Sequence, residues 1–216
     1  MTLLPRIVPL GEEAITVGLG TVTTEAVHEK VRSLAHLLET RALAGVLEIC
    51  PAYTTVTVRF DPDLTGVATL EPIIRAMLEG PLPFPAEQSG AAHEIPVRYD
   101  GVDLEVVAER AGMSPREVVE RHTAREYRVY LIGFVPGFPY LGDLDTALVM
   151  PRRPQPRPRV PPGSVAIAGA QTGIYPFATP GGWHLIGSTP VVLFDPARKR
   201  PSLLAAGDRV RFVERS

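Results

Sequence analysis

The chain has 216 residues, 45% apolar and 21% charged, with a formal net charge of −2. That balance describes a soluble globular protein of one or two domains, with no charge-based argument for nucleic-acid or membrane binding. A lone cysteine, Cys50, excludes an intrachain disulfide and a cysteine metal site, and no metal is expected in this chain.

The first residues, MTLLPRIVPLGEE, are interrupted by Pro5, Arg6 and Pro9 and form no secretory apolar core. No window approaches the roughly 20 apolar residues of a membrane span. A cytoplasmic location is the default expectation. Ile15–Leu19 alternates like a strand. From Glu25 to Thr40, Val27, Val31, Leu34 and Leu38 recur at helical spacing. Gly45–Cys50 and Tyr53–Phe60 then read as strands, with Cys50 as a buried small hydrophobe. A second helix follows Thr69, with Leu70, Ile73, Ile74, Met77 and Leu78 on one face. The expected N-terminal domain, residues 1–80, is an α+β layer of two helices on an antiparallel sheet. Residues 81–92 are rich in Pro, Gly and small side chains and read as a linker.

The second domain, residues 93–216, opens with a strand over His93–Tyr99. A short helix follows with Leu104, Val107, Ala108 and Ala111 on one face. Another begins at Ser114-Pro-Arg-Glu117, where Ser114 and Glu117 form a capping box around Pro115. Tyr127–Ile132 is a strand. Beyond it, eleven of the 23 prolines fall between Pro136 and Pro190. Short β runs remain at Ser164–Ala168, Trp183–Ile186, Pro190–Phe194 and Arg209–Val213. Short strands parted by Gly/Pro turns point to a mainly-β, closed or nearly closed barrel, with the proline-rich segments as loops over it.

Neither lysine, Lys30 nor Lys199, follows a glycine, so no P-loop exists. Four stretches are denser in special residues than a scaffold requires. Gly133–Gly142 alternates Gly, Pro and aromatics. Met150–Gly163 carries Arg152, Arg153, Arg157 and Arg159 among prolines that hold an extended chain. An Arg fork suits a carboxylate or phosphate. Gly169–Tyr175 offers the Gln171 amide and the Tyr175 ring and hydroxyl. Tyr175–Gly187 brings a Pro180-Gly-Gly182 bend, Trp183 and His184, a candidate general base or hydrogen-bond partner.

GFVPGFPYLG, then PRR, RVPPGSVAIAGAQTGIYPF and TPGGWHLIGSTP together resemble the B-subunit family of bacterial 5-oxoprolinase, also called allophanate hydrolase subunit 1, which includes the KipI-type kinase inhibitor. One departure is Thr179, where the family usually has Ser. The resemblance implies an N-terminal α+β domain followed by a cyclophilin-like barrel. It also implies ATP-dependent opening of 5-oxoproline to glutamate in a complex with the C and A subunits of 5-oxoprolinase, ATP being a co-substrate. Under that reading His184, Arg157 and Arg159 are the candidate catalytic residues. Arg152, Arg153, Gln171 and Tyr175 are the candidate substrate-binding residues. The alternative is a binding module that inhibits a sensor histidine kinase.

Overall fold

A computed structural model describes residues 5–82 and 90–215. Residues 83–89 of the expected linker lie outside the described residues. The chain forms two compact units, Met1–Ser89 and Gly90–Ser216.

The first unit runs β1 (Arg6–Pro9), β2 (Ala14–Gly18), α1 (Glu25–Arg41), β3 (Val46–Ala52), β4 (Thr55–Phe60) and α2 (Val67–Glu79). The strands form an antiparallel sheet in the order β1-β2-β4-β3. Ile15, Val17, Val56 and Val58 point to one face and join Leu34, Leu38, Leu70 and Ile74 of the helices in one core. Both helices therefore cover the same face. Thr24 caps α1 by accepting from Val27 N–H, and Ala42 ends it in the left-handed region.

The other face is polar, with Thr16 bonded to Thr57 at 3.1 Å. Strand alternation puts Cys50 on this face, opposite Thr57, so it is exposed rather than buried as expected. Burial of part of the side chain, then the nearby Glu48, raises its thiol pKa.

The second unit comprises β5 (Ala92–Val97), α3 (Leu104–Ala111), α4 (Pro115–Thr123), β6 (Glu126–Ile132), β7 (Pro139–Gly142), β8 (Arg157–Val160), β9 (Ser164–Ala168), β10 (Gln171–Ile174), β11 (Thr179–Gly181), β12 (His184–Ser188) and β13 (Arg209–Glu214). The capping box of Ser114 and Glu117 forms at the start of α4. Seven strands make one mixed sheet, β12-β9-β10-β7-β6-β13-β5, in which only β13 and β5 run parallel. Its two edges meet where Arg98 and Ser188 exchange backbone hydrogen bonds of 2.8 and 2.7 Å. The sheet thus curls until its ends touch.

Inside the curl lies the main core, including Val97, Tyr127, Leu141 and Phe212, closed by Val107 of α3 and Val118 of α4. A smaller core lies on the opposite face of β9, β10 and β12, with Phe138, Val160, Tyr175 and Trp183. Every residue of β9 is buried, as a strand covered on both faces requires.

Two expectations change here. The proline-rich segments are not all loops, because β8 and β11 pair as a separate two-stranded ribbon holding Pro158 and Pro180. Such a ribbon leaves donor-less proline positions unpaired without breaking a central strand. Pro190–Phe194 is not a strand. Its apolar residues serve burial, with Leu193 in the main core, and pairing is limited to one Phe194–Ser202 bridge. Among the described residues, no helix is long and apolar enough to cross a membrane.

Candidate functional site

The stretch after β6 builds an aromatic cleft. Gly133 N–H donates to Phe138 O and Phe138 N–H to Val135 O, so the chain doubles back into β7. Gly137 sits at φ 81, and a side chain there would press on Phe194. Phe138 then becomes the hub of four rings. Its centroid lies 5.0 Å from Tyr140, 5.1 Å from Tyr175 and 5.5 Å from Trp183, all near edge to face. Gly173 lets the rings close up, since an added Cβ would lie 2.9 Å from Phe138 Cζ and 3.1 Å from Trp183 Cζ3. Phe134, 60% exposed and held at φ 69, adds a fifth ring.

These aromatics line one side of a cavity of about 160 Å³. Gly181 of the ribbon and its flanking residues Pro156 and Gly182 line the other, and Arg152 completes it. The volume corresponds to roughly five waters at about 30 Å³ each, which suits a small ring-sized molecule. Burial raises the Tyr175 hydroxyl pKa above its ordinary value despite a Trp183 backbone hydrogen bond, and burial raises Tyr140 as well. Both stay protonated donors at neutral pH.

Behind this wall lies a residue not singled out in the sequence, Asp103, only 2% exposed. It occupies the N-cap position of α3, yet its carboxylate makes no cap bond. Oδ1 accepts from Arg153 Nη1 at 2.8 Å and Arg157 Nη2 at 2.7 Å. Oδ2 accepts from Arg157 Nη1 at 2.8 Å and Leu185 N–H at 2.7 Å. All four acceptor positions of the carboxylate are filled. Burial acts to raise the Asp103 pKa, but the hydrogen bonds from Arg157 and Leu185 and the charges of both arginines outweigh it and hold it below the usual carboxylate range. Two guanidinium groups on one carboxylate leave a surplus positive charge beside the cleft.

The seven candidate residues therefore separate. Tyr175 and Arg152 line the cavity. Gln171 stands opposite Ala168, on the cleft side of β10, without lining the cavity. Arg153 and Arg157 are engaged by Asp103 and are not free forks awaiting a ligand. Arg159 is exposed on β8, outside the cavity lining.

His184 is 1% exposed and pairs with Ile167, whose side chain belongs to the main core. Directly opposed residues share a sheet face, so His184 points away from Trp183 and Leu185, which belong to the smaller core. Its Nε2 lies 3.0 Å from Pro151 O, which can only accept, so Nε2 carries the proton. Trp183 and His184 are neighbours in sequence, and the two-residue alternation of a strand sets them on opposite faces of the sheet. The Pro180-Gly-Gly182 bend is likewise corrected: Gly181 ends β11 opposite Arg157, and neither glycine has a left-handed φ. Among the described residues, no three His, Cys, Asp or Glu side chains gather as a metal site.

The chain thus combines a helix-covered antiparallel sheet with a curled mixed sheet that bears an aromatic cleft on its outer face. The family profile described as carboxyltransferase domain, subdomain C and D, matches residues 5–204. The chain is 41% identical over 227 aligned positions to the B subunit of 5-oxoprolinase from Bacillus subtilis (strain 168), covering 99% of this chain and 94% of that protein. It is 44% identical over 208 positions to the B subunit of 5-oxoprolinase from Escherichia coli O157:H7, covering 94% and 93%. The chain belongs to the B-subunit family of 5-oxoprolinase. The crystal structure of TTHA0988 superposes with a TM-score of 0.84 at 41% identity, covering 95% of this chain. This chain spans 40% of the length of that one.

Proposed function

We propose that this chain is the B subunit of an ATP-dependent 5-oxoprolinase, which opens 5-oxo-L-proline to L-glutamate together with the C and A subunits of the enzyme. In this reading the N-terminal α+β unit is joined through residues 81–92 to a cyclophilin-like barrel, and the barrel carries the substrate cleft.

The observation that carries the reading is the aromatic cavity of about 160 Å³ with Arg152 among its lining residues. The substrate is a five-membered lactam bearing one carboxylate. Its flat ring suits the faces and edges of Phe138, Tyr140 and Trp183, and Arg152 suits its carboxylate. The Tyr140 and Tyr175 hydroxyls, kept protonated by burial, are donors for the lactam carbonyl. Ring opening breaks the C–N bond, adds hydroxyl to the carbonyl carbon and a proton to nitrogen. Transfer of the γ-phosphoryl of ATP to the carbonyl oxygen would make that carbon electrophilic; attack by one water and departure of the protonated ring nitrogen would open the ring to an acyl phosphate, and a second water would hydrolyse that to the carboxylate and free phosphate.

Without a P-loop, this chain alone is expected to be inactive. Mixing it with the purified C and A subunits should give ATP-dependent loss of 5-oxoproline and matching release of glutamate, and omission of any one component should abolish both. No turnover in the complete mixture would overturn the proposal. The histidine-kinase reading draws no support from the relatives, which carry the 5-oxoprolinase name.

A further inference from the structure

The two walls of the cleft are held by different means. The sheet wall is packed ring on ring through Phe138. The ribbon wall contributes no aromatic ring of its own. Strands β8 and β11 pair with each other and with no strand of the seven-stranded sheet. Apolar packing around Val160 and Tyr175 ties the ribbon down on its inner side. Beside the His184 Nε2–Pro151 O bond, the side-chain ties converge on one group: Arg153 and Arg157 both bind Asp103, and Asp103 is itself bonded to β12 in both directions. Its own N–H donates to Leu185 O at 2.9 Å, and its Oδ2 accepts from Leu185 N–H.

The Arg157 fork grips both carboxylate oxygens, so it fixes orientation as well as distance. Arg153 then holds the chain one residue beyond Arg152, and its backbone N–H meets Gly182 O at 2.8 Å on the cleft side of the ribbon. With its acceptor positions filled and its surface buried, the carboxylate has nothing left to offer a substrate or a proton.

We infer that Asp103 is a positioning residue, clamping Arg157 of the ribbon and Arg153 of the segment leading into it to β12, and so setting the width of the cleft and the reach of Arg152 across it. Its consequence for substrate rests on the proposed function, whereas its consequence for the ribbon does not. The single tryptophan, Trp183, lies in the cleft wall and reports on both.

The test uses Asp103→Asn, which keeps shape and an acceptor for Leu185 N–H but loses the charge two guanidinium groups require. Its partner is Arg157→Lys, which keeps the positive charge and loses the fork. Both are compared with the unaltered chain at temperatures where far-UV circular dichroism shows all three folded. Acrylamide quenching of Trp183 should strengthen about twofold or more in Asp103→Asn as local opening exposes the ring, and by less in Arg157→Lys. In the reconstituted complex, KM for 5-oxoproline should rise about tenfold with kcat held, the signature of lost uniform binding.

Folded Asp103→Asn with unaltered quenching would overturn the inference. If that variant does not fold, unaltered quenching in Arg157→Lys does so. A purely structural role would lower kcat through the folded fraction and leave KM and quenching unmoved. Failure of the unaltered complex to consume 5-oxoproline would remove the functional reading, while quenching still judges the clamp.

Discussion

The adjacent glycines of Pro180-Gly181-Gly182 should respond in opposite ways to the same added methyl group. Neither has a left-handed φ, so space alone decides. On Gly181, a Cβ would collide with the Tyr175 hydroxyl and stand 2.8 Å from its Cε1 and Cζ. Tyr175 has no room to yield, being buried and packed 5.1 Å from Phe138. The ribbon must shift or the aromatic cluster must loosen. Overpacking of this kind costs about 1–3 kcal/mol. At about 2–4 °C per kcal/mol for a chain of this size, Gly181→Ala should lower Tm by about 2–12 °C. On Gly182, the nearest atoms are Pro156 Cγ at 3.8 Å and Arg153 O at 3.9 Å, which is ordinary contact. Gly182→Ala should be neutral or stabilise by up to about 1 kcal/mol, through the restricted unfolded chain. Thermal melts followed by circular dichroism, with Trp183 emission as a second probe, compare the two. Equal Tm shifts in both variants, or an unshifted Gly181→Ala, would refute the packing described around Tyr175.

Three further outcomes are expected. His122 is fully buried, with Nε2 donating at 2.9 Å to Thr172 Oγ1, which donates on to Ala166 O, and Nδ1 accepting at 2.7 Å from the Tyr99 hydroxyl. Burial pushes its pKa down from 6.5 to about 3. The unfolded chain therefore binds the proton more tightly, so the contribution is complete above pH 6.5 and is lost as pH falls from 6.5 toward 3, at about 1.4 kcal/mol per unit. Urea titrations across that range should show a flatter slope in His122→Gln, and identical slopes would contradict the assignment. Arg152→Met should raise KM for 5-oxoproline about tenfold, the lower end for a bond to a charged group because Arg152 is exposed; an unchanged KM would remove Arg152 from the site. Gly173→Ala should destabilise by about 1–3 kcal/mol through its contacts with Phe138 and Trp183, measured as a lowered urea midpoint at constant slope.

Helices α1 and α4 are legible in the sequence because each states its core face and its cap locally. Val31, Leu34 and Leu38 repeat at helical spacing, and Ser114 and Glu117 are three residues apart. Strands β7, β8, β10 and β11 are not, because three or four residues carrying Pro139, Pro158, Gly173 or Pro180 show no alternation, and their pairing is decided by distant partners. The cleft was legible as a set of aromatics and one arginine that lines it. The roles of the other arginines were not, since the carboxylate that binds Arg153 and Arg157 lies 50 and 54 residues upstream. Asp103 does carry a local sign, a helix N-cap position, but the sign points to a capping bond that it does not make. Cys50 shows the same limit: an apolar neighbourhood in sequence says nothing about which sheet face a strand residue occupies.

The parallel pairing of β5 with β13 also has a temporal consequence. Ala92 lies beside Arg209 and Val97 beside Glu214, and Val210 and Phe212 of β13 are buried. Until residues 209–214 leave the ribosome, the second unit is an unfinished sheet with β6 bare along one edge, whereas the first unit closes on strands no further apart than Arg6 and Phe60. Long-range closure of this kind is slow and leaves apolar surface open meanwhile. The half of the molecule that bears the cleft thus closes its sheet later in synthesis than the other half, and nascent chains stalled before β13 should be digested by protease in the second unit while the first resists.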